Sequence, residues 1–392
     1  MRENAADGAV ADDQVGPAAE PHTSFGITLE EYLLPATRRI QLVSEDGREL
    51  SPEEQDVESG HEYPMPSDDE LLAAYRHLVV GRRVNDQAYA LVRQGRMAVY
   101  PSSHGQEASE VAAAVCLGKD DWLFPTYRDT VAVMSRGVPA TEVMVAFQGS
   151  WHQGYNPSDY NTSVQSTPLT TQMLHAVGLA QAKRLKGEDA VVLAMVGDGG
   201  SSEGDFHEAL NFAAVFKLPV IFFVQNNKYA ISVPLARQSA APTLAHKAVG
   251  YGLAGERVDG NDLAALLAVL GRAVDLCRAG GGPFLVEADT YRMQAHTNTD
   301  DPTRYRDDAE VTEWEARDPL RRMTAFLTER VSAEIQQEAE SVAGELREAM
   351  NAEPEVDPLE LFDHVYTVQT PQLAEQREQL AEELSRTENK EA

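Results

Sequence analysis

Apolar residues along this chain fall into two patterns. From Ser67 the stretch SDDELLAAYRHLVVGRRVNDQAYALVRQG repeats apolar positions at helical spacing behind a serine cap and a first turn rich in acids, and it predicts a long amphipathic helix. HGQEASEVAAAVCL (104–117) and TPLTTQMLHAVGLAQAKRL (167–185) predict two more helices, rich in small residues that allow close packing. The second pattern has no polar alternation: AVVLAMV (190–196) and PVIFFVQ (219–225) are unbroken apolar runs, separated by an amphipathic stretch from Glu203. Such runs read as strands buried on both faces, and the trio as a strand-helix-strand unit. The unit repeats as ERVDG (256–260), a helix through LAALLAVLGRAVDLCR, a Gly-Gly-Pro stop and FLVEADTYR (284–292). The predicted fold class is α/β, a doubly wound parallel sheet flanked by helices.

The ends differ from this core. Residues 1–39 form an acidic, aperiodic tail expected to be disordered, and residues 40–66 read as a short hairpin around Asp46-Gly47 with a connector. The α/β domain is expected over 67–330, with an acidic helical region over 331–392 that ends in PQLAEQREQLAEELSR. Of the net charge of −30, residues 1–70 hold 18 acids against 4 bases and residues 333–392 hold 16 against 4, so 26 negative charges belong to the periphery. An acidic surface without a basic stripe argues against nucleic acid and anionic membrane as partners. No apolar run is long enough to span a bilayer and MRENAADGAVADDQ lacks a signal-peptide core, so the expected compartment is the cytoplasm. Cys116 and Cys277 have no metal-ligand spacing and are expected to be buried apolar residues.

Two polar clusters bear on chemistry. GDGG (197–200) ends the first buried strand and QNN (225–227) ends the second, 29 residues from Asp198 to Asn227. A right-handed crossover makes these strands parallel, so Asp198 and Asn227 emerge as neighbours at the carboxyl edge, where open parallel sheets bind ligands. The helix between them starts with SSEGD, where Ser201 or Ser202 can cap, and its free amides favour an anion. Gly197, Gly199 and Gly200 let a ligand approach the backbone. A carboxylate, a carboxamide and an anion site together suit magnesium bound with a diphosphate.

These residues resemble a known family. GDGGSSEGDFHEALNFAAV followed by FFVQNNKYAIS is similar to the thiamine-diphosphate motif in the alpha subunit of the decarboxylating component of 2-oxo acid dehydrogenase complexes. RQGRMAVYPSSHGQEAS, DWLFPTYRDT, HKAVGYG, RVDGND and YRMQAHTNTDDPTRYR extend the resemblance from about Ile40 to about Thr370. It implies a transketolase-like diphosphate-binding fold. It also implies magnesium held by Asp198, Asn227 and the backbone oxygen of Tyr229, and diphosphate reached by Tyr127, Arg128, Arg292 and His296. Gly197, Gly199, Gly200 and Glu203 would border the cofactor, Leu169 would press it into its bent form, and His296 would assist acyl transfer. Ser166, Pro168, Thr171 and Gln172 match positions that form a potassium site in animal relatives, though the same oxygens could equally serve helix-start capping. The resemblance is broken at Gln225, where several members have arginine, and His104 reads as structural.

The implied activity is oxidative decarboxylation of 2-oxo acids with acyl transfer to a lipoyl group of an acyltransferase component. The glutamate that activates the cofactor has no match here and in the family comes from a beta subunit, which implies an α2β2 heterotetramer. HEALNFAAVFKLPVIFF with STPLTTQ favours branched-chain 2-oxo acids, while RQGRMAVY with HGQEAS also resembles pyruvate members, so pyruvate or mixed specificity stays open. Two other readings are an NAD-binding dehydrogenase, for which no G-x-G-x-x-G follows a strand, and a noncatalytic scaffold subunit.

Overall fold

The computed structural model describes residues 34–55, 62–149, 154–352 and 357–391; most of the expected N-terminal tail and part of the connector lie outside them. The amphipathic stretch from Ser67 is helix α1 (Asp68–Arg93), whose start is fixed by a reciprocal capping box between Ser67 and Glu70. The chain continues through α2 (Glu107–Val115), β1 (Trp122–Phe124), the short α3 (Thr130–Ser135) and α4 (Thr171–Lys186). Next come β2 (Val192–Gly197), α5 (Gly204–Phe216), β3 (Val220–Asn226), β4 (Ala254–Asp259), α6 (Leu263–Arg278) and β5 (Phe284–Asp289). The five strands form one sheet in the order β1-β2-β3-β5-β4, every pairing parallel, as the unbroken apolar runs require. The fold class is thus α/β, a parallel sheet flanked by helices.

Strand side chains alternate between two cores. Leu193, Met195, Ile221 and Phe223 face one cluster with α1, α2 and α6, whereas Val192, Ala194, Val196, Val220 and Phe222 face another with α4 and α5. Ile40, Leu42 and Val43 of the N-terminal hairpin are buried in the first cluster, so the hairpin is built into the core. Asp262 anchors it by accepting from the amides of Leu42 and Val43 at 2.8 Å each. The chain divides into two compact units, Met1–Arg347 and Glu348–Ala392, and the second contains a helix over Pro371–Glu391.

Some expectations need correction. β5 ends at Asp289 rather than Arg292: beyond it the Thr290 amide still reaches Asn226 O (3.0 Å) but the Arg292 amide only Asn227 O at 3.4 Å, while the Thr290 hydroxyl lies against Gly105 O (2.9 Å) and Asn261 Oδ1 (2.7 Å). Neither Ser201 nor Ser202 caps α5. A 3-10 turn over Gly200–Ser202 intervenes, Glu203 takes the cap position without a side-chain bond, and Ser201 Oγ donates to Asp198 O at 2.7 Å. Cys277 is buried as expected, but Cys116 is only partly so. Among the described residues no helix is long and apolar enough to cross a membrane.

Candidate functional site

Four adjacent strands deliver side chains to one edge. The segments after β1, β2, β3 and β5 bring Tyr127 and Arg128, Asp198, Asn227, and Arg292 and His296 into a single cleft. Ser166, Leu169, Gln172, Gly197, Gly199, Gly200, Glu203 and Tyr229 also line it, so of the sequence candidates only Pro168 and Thr171 stand back. The cavity measures about 190 Å³. Pockets that enclose a whole small ligand are commonly ~300–1,000 Å³, so this cleft has the capacity for part of one.

Positive charge concentrates here without a direct ion pair; the carboxylate on this side, Asp300, reaches it through the His296 amide (2.9 Å) and the Tyr305 hydroxyl (2.5 Å). Arg128 and Arg292 are 4% and 1% exposed, and among the described residues neither has a carboxylate within ion-pair distance. Arg128 donates to Ser102 O (3.0 Å) and His296 O (3.1 Å), and Arg292 to Tyr229 O (3.3 Å), Ile231 O (2.8 Å) and the Tyr305 hydroxyl (3.1 Å). Arg292 Nε is buried with no partner. Burying a cation without a carboxylate partner is costly, and two such cations side by side suit an anion. Burial lowers the Arg292 pKa first, and the Arg128 charge lowers it further.

His296 completes this group. Both guanidiniums lie against its Nδ1, at 3.0 Å from Arg128 and 3.1 Å from Arg292. Guanidinium only donates, so Nδ1 accepts and the ring proton sits on Nε2. Burial, then Arg128 and Arg292, depress the pKa of His296 to about 4. The ring is therefore a neutral donor at ordinary pH. His104 bonds Gln294 Nε2 through Nδ1 at 3.2 Å and lies outside the cleft.

The opposite wall offers hard oxygens. Asp198 is 1% exposed, its Oδ2 accepts from Gln238 Nε2 at 2.7 Å, and burial raises its pKa. Asn227 gives Nδ2 to Gln106 at 3.0 Å, which leaves Oδ1 with a 3.3 Å contact from the Tyr229 amide. Among the described residues no three His, Cys, Asp or Glu side chains form a metal cluster; a carboxylate and a carboxamide oxygen are the donor types that suit a hard cation sharing its shell with phosphate and water. The glycines clear the floor. A Cβ on Gly199 would fall 2.6 Å from Ala230 Cβ and one on Gly200 2.5 Å from Val196 Cγ2, while one on Gly197 meets nothing within 4 Å.

The backbone around the cleft is held in unusual shapes. Thr170 and Ile231, both β-branched, have φ of 62° and 55°, and Lys228, between Asn227 and Tyr229, has φ of 78°. Strained conformations of this kind persist where surrounding structure enforces them, commonly at functional sites. The helix-start capping alternative for Ser166–Gln172 is absent at the cap itself, since Thr170 Oγ1 donates to Leu169 O (2.7 Å) and makes no cap bond. Ser166 Oγ donates to Pro168 O (3.1 Å) and Gln172 Nε2 to Met195 O (2.8 Å), leaving buried Gln172 Oε1 with no partner. Sequence reasoning missed Gln106, Thr126, Ala230 and Ile231, all lining the cleft, and Gln238, which holds Asp198.

The model of the dehydrogenase E1 component family matches residues 75–358. A 3-methyl-2-oxobutanoate dehydrogenase subunit alpha from Mycobacterium tuberculosis is 46% identical over 354 residues, 89% of this chain and 95% of that protein. A pyruvate dehydrogenase E1 component subunit alpha from Staphylococcus aureus is 38% identical over 323 residues, 80% of this chain and 87% of that protein. Likeness at this level across the whole sheet and its cleft means that the chain belongs to the dehydrogenase E1 component family.

Proposed function

We propose that this chain is the alpha subunit of a thiamine-diphosphate-dependent 2-oxo acid dehydrogenase, acting on branched-chain 2-oxo acids such as 3-methyl-2-oxobutanoate. The observation that carries the reading is the pair of buried guanidiniums without carboxylate partners, facing Asp198 and Asn227 across the cleft. Arg128 and Arg292 would take the diphosphate, with Tyr127 and the Gly197–Gly200 floor beside it. Asp198, Asn227 and the Tyr229 carbonyl would hold Mg²⁺, and Glu203 borders the same wall. Leu169, 48% exposed at the cleft, is an apolar wedge available to the cofactor's rings. The partnerless Gln172 Oε1 supports a K⁺ site with Ser166, Pro168 and Thr171.

When bound, thiamine diphosphate supplies the electron sink for decarboxylation of a 2-oxo acid. This chain would position the cofactor's charged end and presents the His296 Nε2 proton as a neutral donor. It contributes half of a site. The second half belongs to a beta subunit in a cytoplasmic α2β2 assembly that passes the acyl group to a lipoyl-bearing acyltransferase component.

Co-expression with a candidate beta chain tests this. With Mg²⁺, thiamine diphosphate and an artificial electron acceptor, the assembled complex should oxidise 3-methyl-2-oxobutanoate faster than pyruvate, while the lone chain should be inactive. Activity from the lone chain would overturn the assignment, and faster pyruvate turnover would move the substrate to the smaller acid.

A further inference from the structure

Behind the metal-facing wall runs a buried line of side-chain amides. Asn227 Nδ2 donates to Gln106 Oε1 (3.0 Å), Gln106 Nε2 to Gln225 Oε1 (3.2 Å), and Gln225 Nε2 to Asp129 Oδ1 (2.6 Å). All four residues are at most 7% exposed. They come from four places: the turn before α2, the residue before α3, strand β3 and the segment after β3. Asp129 Oδ2 accepts the Thr126 amide at 2.6 Å, so both carboxylate oxygens act as acceptors.

A carboxylate has no proton to give, and each carboxamide has one donating and one accepting end. Asp129 therefore obliges Gln225 to turn its NH₂ inward, which presents its oxygen to Gln106. Gln106 in turn presents its oxygen to Asn227, and Asn227 is left with NH₂ on the protein side and Oδ1 on the other. We propose that Asp129, Gln225 and Gln106 are positioning residues that set the polarity of Asn227, so that an oxygen rather than an NH₂ group is available to a divalent cation. The proposal rests on the reading of Asp198 and Asn227 as metal ligands. It also gives Gln225 a purpose: where arginine would add a cation, this chain spends the position on orientation. Glu110, fully buried nearby with Oε1 unpartnered, has its pKa raised by burial and then by Asp129, and burial raises Asp129 too; what marks Asp129 as the accepting end is that its two oxygens take the Thr126 amide and the Gln225 NH₂.

The test is a double substitution in the co-expressed α/β complex, read as the Mn²⁺ dissociation constant by electron paramagnetic resonance at saturating thiamine diphosphate. Asp129→Asn restores two-way hydrogen bonding at the anchor, lets the line reverse and should weaken Mn²⁺ binding about 10- to 100-fold, the usual scale for a group that orients a metal ligand. Asn227→Asp alone should also bind poorly, because two acceptor-only ends now force opposed polarities on the two glutamines. Adding Asp129→Asn to Asn227→Asp removes that conflict, so it should strengthen Mn²⁺ binding, a reversal of sign that a merely structural role would not produce. Weakening by the same factor in both backgrounds would overturn the relay. Absence of thiamine-diphosphate-dependent Mn²⁺ binding in the unmodified complex would overturn the metal site itself and the relay with it.

Discussion

Gly197 and Gly199 lie two residues apart on the cleft floor, yet a methyl group should affect them in different ways. At Gly199 the new Cβ would sit 2.6 Å from Ala230 Cβ and 3.3 Å from Ala230 Cα. Carbon contacts are optimal at about 3.5–4.0 Å, so the Tyr229–Ile231 turn must retreat by about 1 Å. Overpacking of this kind costs roughly 1–3 kcal/mol. The same turn carries the Tyr229 and Ile231 carbonyls that hold Arg292, so Gly199→Ala should lower both the stability of the cofactor-free complex and its affinity for Mg²⁺-thiamine diphosphate. At Gly197 a Cβ meets no atom within 4 Å, so Gly197→Ala should leave stability within about 0.5 kcal/mol. The overpacking then arises only when diphosphate arrives, and about 1–3 kcal/mol corresponds to a 5- to 150-fold weaker Kd. Thermal unfolding without cofactor and calorimetric titration with it separate the two effects. Wild-type affinity in Gly197→Ala would refute the placement of diphosphate over the end of β2.

Arg292→Met should leave the cofactor-free complex as stable as the parent or more so, since it removes a buried cation without a carboxylate partner, while weakening thiamine diphosphate by about 30-fold or more in calorimetry. His296 has its pKa lowered from 6.5 to about 4, so between those values the unfolded chain binds a proton that the folded chain does not, and stability rises with pH across that window. His296→Gln should flatten the difference in urea midpoint between pH 4.5 and pH 7. Arg322 is fully buried between Asp259 (3.0 Å) and Asp262 (3.3 Å), and Asp259 keeps only a second, longer pair to Arg39 (3.8 Å), so Arg322→Met leaves Asp262 buried without a cation and should cost about 3–5 kcal/mol in chemical unfolding, although it lies outside the cleft.

What was legible in the sequence follows from what has a local signature. β2 and β3 are apolar on both faces because helices cover both, and that removes the alternation of a half-exposed strand. Their parallel pairing, with Gly197 opposite Gln225, then carries Asp198 and Asn227 to one edge by topology alone. The α5 start was misread because a serine ahead of a helix is the usual cap signal, whereas the 3-10 turn that displaces it depends on the bond from Ser201 to Asp198 O. Gln106 was illegible for a different reason. It precedes a run of small packing residues, and its role exists only because the start of α2 lies beside the end of β3, 119 positions away from Gln225. Gln225 was visible as a departure from the family but could be read only as a loss, since its partner Asp129 is 96 positions away.

The isolated chain is arranged against its own stability at this edge. Two guanidiniums are buried on carbonyls, a hydroxyl and one neutral imidazole, Thr170, Lys228 and Ile231 hold left-handed backbone, and Leu169 and Ile231 remain 48% and 56% exposed around the opening. Under the proposed function two of these costs have an occupant: a diphosphate for the arginines and a covering beta subunit for the apolar rim. An anion alone would leave the rim wet, and a covering chain alone would bury the cations more deeply. Cofactor and partner should therefore favour each other's binding, because each lowers a cost that the other would otherwise leave or enlarge.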